Sequence, residues 1–479
     1  MAFRQMAFRL IAFPQTSFVI VTLMLVAGVL GLPGIAQEAA PTSTKPVSAN
    51  PPTASEQPET SLAAQDAVED ELQIKKERDD YYELLMTFAD TIDQIDRNYV
   101  EKVSRREILE AAIEGVLRKL DPNSNYIAPD DIDEFKLDVD NTFVGVGLKV
   151  NRRNDQLQVI SPVVGTPAYR AGIAAGDEIL AIDGRPTKDV SVDDVVKQLK
   201  GKVGSFVSIT LFHPRTGVTE EVRLKRESIK VKTVLGDRRQ ADGSWKYMYD
   251  DSQKIGYVRI TIFGRETADE LRTVLRQLKS DGLRGLILDL RFNSGGLLKA
   301  AIEVSDLFLS QGKIVSTQGR NITPQSWDAI PENTYEGFPM VVLVNEYSAS
   351  ASEIVAAALQ DHQRAVVVGQ QTYGKASIQN VIELEGGKSA LKLTTGSYQR
   401  PSGKPIHRFP GATEWGVQPD ETFDMPLSTQ ELQRLIRKRY ERDTAIPPGD
   451  AAAAPDFDRQ FRRAVQHIQG EMEKLGDSP

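Results

Sequence analysis

Cysteine is absent from all 479 residues. That excludes a disulfide framework and a cysteine nucleophile, and leaves stability to packing. Histidine is scarce, with only His213, His362, His407 and His467, and none sits in an obvious catalytic setting. An excess of positive charge is also missing. Lys and Arg number 58 against 67 Asp and Glu, a net charge of −9, which argues against a nucleic-acid-binding protein. No clustered set of metal ligands stands out, and no cofactor is expected.

Charge is missing locally as well. After Arg4 and Arg9 no charged residue appears until Glu38, and Phe18–Leu32 is an apolar run closed by the small residues of Gly34-Ile35-Ala36. This pattern predicts an export signal over residues 1–36, cleaved after about Ala36. An uncleaved membrane anchor is the rival reading, because the uncharged run is close to spanning length. The expected location is the bacterial periplasm or the outer face of the inner membrane. Residues 37–68 are rich in Pro, Thr, Ser and Ala and predict an unstructured tether.

Helical periodicity begins near Glu69. Leu84, Leu85, Phe88, Ile92 and Ile95 form one stripe, Ile108, Ala111, Ala112, Gly115, Val116 and Leu120 a second, and Asp121-Pro122-Asn123 stops it. Residues 69–138 therefore form a helical region with no chemistry of its own.

Residues 139–228 alternate as strands around two short helices. The Phe143–Leu148 run (FVGVGL) and PAYRAGIAAGDEILAIDG resemble a PDZ domain. The resemblance implies that the loop of Gly145, Val146, Gly147 and Leu148 holds a peptide carboxylate. It also implies that Val146 and Leu148 face Val195 or Val196 and Leu199 across a pocket for an apolar C-terminal side chain. These residues suit an ordinary core equally well.

Two strand–turn–helix units follow. In the first, the buried strand Gly285–Leu290 runs into Asn293-Ser294-Gly295-Gly296 and a helix over Leu297–Leu309. In the second, Met340–Val344 runs through Asn345-Glu346-Tyr347 into three alternate serines, Ser348, Ser350 and Ser352, and a helix from Glu353. A serine at such a turn is lifted out of the sheet, beside backbone N–H groups able to bind an oxyanion. A buried lysine can serve as its base, since desolvation favours the neutral amine. Lys375 lies between Gly374 and Ala376, and Gln379 is four residues on, a spacing that puts both on one face of a helix or a strand. On residue types alone, a helix cap and a surface lysine explain the same letters.

The combination is more specific. Leu288–Leu298 (LDLRFNSGGLL), Val342–Asp361 (VLVNEYSASASEIVAAALQD) and Thr372–Gln379 (TYGKASIQ), in this order behind a PDZ-like unit, resemble the carboxyl-terminal processing (tail-specific) protease family. The likeness extends through Leu393–Gly403 and Gly416–Asp420. It implies a multidomain α+β protein with an N-terminal helical segment, a PDZ-like β-rich domain and an α/β crotonase/Clp-like protease core over residues 229–426. It further implies Ser350 as nucleophile, Lys375 as general base, Gln379 as its orienting partner, and an oxyanion hole from the N–H groups of Ala351 and the glycine turn, Gly296 rather than Gly295. Ala376 and Tyr347 depart from the family's usual small glycine and pre-serine residue. Unfolded or tail-exposed proteins are the implied substrates, and a regulatory partner, a homo-oligomer and membrane association through the N-terminus stay open. A non-catalytic PDZ scaffold is the alternative that loss of any one of Ser350, Lys375 or Gln379 would have favoured. Residues 427–479 predict a helical tail that covers the core or makes contacts.

Overall fold

Helix α1 runs over Thr60–Asn98 and α2 over Arg105–Leu120 in the computed structural model, which describes residues 60–153, 155–240, 243–444 and 458–476. The export segment and the first part of the tether lie outside these residues. Helix α1 begins inside the stretch expected to be unstructured. The reason is local: from Thr60 onward Pro disappears, and Ala, Leu, Gln and Glu, all strong helix formers, take over. Ser104 caps α2 by accepting from the Glu107 N–H, and at its other end Asp121 accepts from the N–H groups of Asn123 and Ser124. The Leu84, Leu85, Phe88 and Ile95 stripe is exposed on α1. Among the described residues, those from Thr60 to Ala128 belong to one compact unit and those from Pro129 to another. No helix among the described residues is long and apolar enough to cross a membrane.

The β-rich unit is an antiparallel sheet of β1 (Leu148–Arg153), β2 (Gln156–Pro162), β3 (Glu178–Ile182), β4 (Phe206–His213) and β5 (Val218–Lys225), paired in that order. Helix α3 (Val192–Leu199), capped by Ser191, packs Val195 and Leu199 into its core. Val146 and Leu199, expected to line a pocket, are core residues at 1% and 5% exposure. Leu148 is half-buried against the same core and Val196 is exposed. Gly145 closes a strand that pairs with Glu227, while Gly147 takes φ +81° and leaves no room for a side chain beside Thr166.

The remainder is built on a parallel sheet. Strands β6 (Ile255–Ile260), β7 (Gly285–Asp289), β10 (Met340–Val344) and β11 (Val366–Gly369) pair in that order, every one parallel to the next. Helices α4 (Thr267–Ser280), α5 (Leu298–Asp306) and α6 (Ala351–Asp361) connect or follow them. Strands covered on both faces read as continuous apolar runs, and β6, β7 and β10 are buried at every position. Alternate residues part to opposite sides. Val258, Leu288 and Val342 meet α4, α5 and α6, whereas Tyr257, Ile287 and Val341 meet Phe461, Ala464 and Ile468 of α8 (Arg459–Gly476). The tail helix is thus a layer of the core. A second, antiparallel sheet carries β8 (Lys313–Gln318), β9 (Gln325–Asp328), β12 (Ser377–Leu384) and β13 (Ser389–Gln399) in the order β12-β13-β8-β9.

Where β7 ends, a buried charge cluster ties the tail to the glycine turn. Arg291 pairs with Asp289 at 2.8 Å and with Asp458 at 2.9 Å, and it bonds Gln460. Arg439, from α7 (Thr429–Thr444), pairs with Asp289 and donates to the Arg291 carbonyl at 3.0 Å. Burial raises the Asp289 pKa, but Arg291 and Arg439 overcome it and hold the carboxylate well below its ordinary range.

Candidate active site

The serine turn leaves β10 at Asn345 and enters α6 at Ala351. Its three serines are all buried, at 0% for Ser348, 2% for Ser350 and 0% for Ser352, yet they do different things. Ser348 Oγ donates to the Leu290 carbonyl at 2.9 Å and accepts from the Asn345 N–H at 2.9 Å. Ser352 Oγ donates to the Asn293 carbonyl at 2.8 Å. Both flanking hydroxyls are therefore pins that fasten this turn to the glycine turn. Asn345 adds a third fastening, its Oδ1 accepting from the Phe292 N–H at 2.9 Å.

Ser350 is the exception. It takes φ +53° and ψ −111°, a backbone state that costs a non-glycine residue about 1–3 kcal/mol. The fully buried carboxylate of Glu353 holds it there. Oε2 accepts from the Ser350 N–H at 2.7 Å and from the Lys375 N–H at 2.8 Å, and Oε1 accepts from Thr372 Oγ1 at 2.6 Å and the Gly374 N–H at 2.7 Å. One oxygen atom thus links the backbones of Ser350 and Lys375. Burial pushes the Glu353 carboxyl up, and these four bonds pull against that rise. Sequence reading passed over Glu353, although Ser350-x-x-Glu353 is a capping-box spacing; its partners at 372–375 carry no local signal.

Lys375 is 9% exposed, in the segment before β12. His407, set aside with the other histidines, lies beside it. Its Nδ1 accepts from the Ala376 N–H at 3.4 Å, and burial followed by the Lys375 charge lowers its pKa. Gln379 is 2% exposed, with Nε2 donating to Ser377 Oγ at 2.8 Å and Thr394 Oγ1 at 3.2 Å. The spacing argument for a shared face does not carry here, because Lys375 precedes the strand and the register shifts between Ile378 and Gln379.

The glycine turn lies directly against the nucleophile-like serine. A Cβ on Gly295 would sit 2.9 Å from Ser350 Cβ and 3.1 Å from the Ala351 nitrogen. Asn293 Oδ1 takes the Gly295 N–H at 2.9 Å. Gly296 instead packs on the Phe263 backbone, and its N–H, like that of Ala351, donates to no acceptor among the described residues. No group of His, Asp or Glu suited to a metal ion occurs among those residues.

Comparison with known proteins decides the family. The carboxy-terminal-processing protease of Bartonella bacilliformis is 35% identical over 412 residues, covering 82% of this chain and 89% of its own length. The chain belongs to the carboxyl-terminal-processing proteases. Within this family of serine-type peptidases, its segment 254–423 matches peptidase family S41, 135–211 a PDZ domain, and 53–130 the N-terminal domain of the activating protease CtpB. The carboxyl-terminal-processing protease of a Synechocystis species is 37% identical over 361 residues, covering 74% of this chain and 81% of its own. A solved photosystem II D1 C-terminal processing protease is 28% identical, at a TM-score of 0.40, covering 71% of this chain and 92% of that one. The two turns of this carboxyl-terminal-processing protease fall inside the S41 segment, and Gly145 and Gly147 fall inside the PDZ segment.

Proposed function

We propose that this protease cleaves proteins near or from their C-termini with a Ser350/Lys375 dyad. The observation that carries the reading is the single Glu353 oxygen shared by the Ser350 and Lys375 N–H groups, which brings a strained serine and a buried lysine to one point. Neutral Lys375 takes the Ser350 proton, and Ser350 Oγ attacks the peptide carbonyl. The oxyanion is met by the N–H groups of Ala351 and Gly296, which have no acceptor among the described residues. Lys375 returns the proton to the leaving amine, and water then releases the acyl-enzyme. Gln379 orients the lysine.

The PDZ domain binds the substrate's unstructured C-terminus along the Gly145–Leu148 loop and gates the site. Because Val146 and Leu199 are committed to the domain core, Leu148 and the exposed Val196 are the residues left to meet the substrate's last side chain. Export through residues 1–36 puts the enzyme in the periplasm or on the outer face of the inner membrane. The test is cleavage of an unfolded protein ending in apolar residues. Ser350→Ala and Lys375→Ala each lower the rate by about 10⁶-fold, as removal of a nucleophile or its base does. Activity surviving Ser350→Ala would return the choice to Ser348 or Ser352.

A further inference from the structure

The Ser350 side chain has one polar neighbour that the dyad does not account for. Tyr398, near the end of β13, is 5% exposed and packs in the same core cluster as Ala351 and Ala376. Its N–H donates to the Ala376 carbonyl at 2.7 Å, so its backbone is fixed one residue from Lys375. Ser397, beside it, pairs with Ser377 across the ladder, and Tyr398 itself pairs with Thr317. The ring is thereby held from both neighbouring strands. Its phenol reaches over to the Ser350 hydroxyl.

Building on the Ser350/Lys375 reading, we propose that Tyr398 is a further catalytic residue, whose phenol orients Ser350 Oγ and donates a hydrogen bond to that oxygen when it departs from the acyl-enzyme. The step balances without a co-reactant. Water attacks the ester carbonyl and gives a proton to neutral Lys375. The tetrahedral intermediate collapses, the bond from the carbonyl carbon to Oγ breaks, and Oγ takes the proton back from the Lys375 ammonium. Tyr398 keeps its own proton throughout and contributes only a hydrogen bond to the developing negative charge. A phenol suits this work because it must stay protonated beside an amine that cycles between charge states. Burial of Tyr398 pushes its ionisation well above the ordinary tyrosine range, outweighing the opposing effect of Ser350. Before acylation the same contact restricts the rotamers open to Ser350 Oγ.

The experiment compares wild type, Ser350→Ala and Tyr398→Phe as full chains on a peptide ester, with rapid-quench detection of the acyl-enzyme. Tyr398→Phe removes the hydroxyl and keeps the packed ring. The expected result is a kcat about a hundredfold to a thousandfold lower, the range for loss of one donor to a developing oxyanion, with KM lowered alongside it and a burst of acyl-enzyme that wild type lacks, because slowed deacylation lowers both. A kcat within twofold of wild type beside an inactive Ser350→Ala would overturn the role of Tyr398 and leave the dyad standing. An active Ser350→Ala would overturn the dyad reading itself. Should Tyr398→Phe fail to fold, 3-fluorotyrosine at position 398 retains ring and hydroxyl and makes a stronger donor. It is expected to speed acyl-enzyme hydrolysis relative to wild type, and an unchanged rate would overturn the proposal.

Discussion

Two strand–turn–helix units stand side by side in this protein and solve one geometric problem in opposite ways. Each takes a buried parallel strand into a sharp turn and then a helix. The β7 turn relies mainly on glycine, with φ +110° at Gly295 and +141° at Gly296, beside one larger residue, Phe292, at φ +66°. The β10 turn places a serine at φ +53° and holds it with a buried carboxylate. The difference fits the roles proposed for the two turns. A turn that offers only backbone N–H groups is free to drop its side chains. A turn that offers a hydroxyl cannot, and needs a buried acceptor to hold the conformation.

Four experiments break or sharpen this contrast. The largest effect belongs to Gly295→Ala. Its methyl would lie 2.8 Å from the Ala349 carbonyl oxygen in a left-handed conformation, so about 2–4 kcal/mol of stability is lost in denaturant unfolding, together with activity. Glu353→Gln comes next. The amide keeps the shape but turns one acceptor into a donor facing the Ser350 or Thr372 side of the network. A loss of about 1–3 kcal/mol is expected, with proteolysis falling more steeply than stability, measured on the same sample.

Ser348→Ala and Ser352→Ala each remove a pin between the turns. Each costs about 1 kcal/mol by thermal unfolding and leaves cleavage within a few-fold of wild type, the reverse of Ser350→Ala. The smallest effect concerns pH. Burial keeps the His407 pKa below its unfolded value of 6.5, so as pH falls below 6.5 the unfolded chain takes up a proton that the folded one refuses. Stability drops through that window, and above it both states are neutral and the effect vanishes. His407→Gln flattens this part of the stability–pH curve; an unchanged slope would show that His407 is not responsible.

Much of this was legible in the letters. The apolar runs at 285–290 and 340–344, the NSGG turn and the SASAS turn all announced themselves, because strands buried on both faces and positive-φ turns restrict residue type locally. Glu353 and Tyr398 were not legible in the same way. Each acts through partners far along the chain, Glu353 on Thr372, Gly374 and Lys375 and Tyr398 on Ser350, and periodicity carries no information about such contacts. The PDZ resemblance put Val146 and Leu199 on a pocket wall, and the structure buries both in the domain's own core. The early start of α1 was missed because the Pro-rich composition of the preceding residues was carried too far.

The charge cluster beneath the glycine turn has a consequence for synthesis. Arg291 Nη1 finds its two acceptors, Asp458 and Gln460, 167 and 169 residues later in the chain. At a translation rate of about 5–20 residues per second, the ribosome needs roughly 10–30 s to supply them. From completion of β11 until α8 follows, the face of the parallel sheet that receives α8 is bare, and the arginine beside the NSGG turn is only partly bonded. On the reading proposed above, the serine turn leaves the ribosome well before the residues that brace the neighbouring glycine turn, so the order of synthesis delays completion of the site.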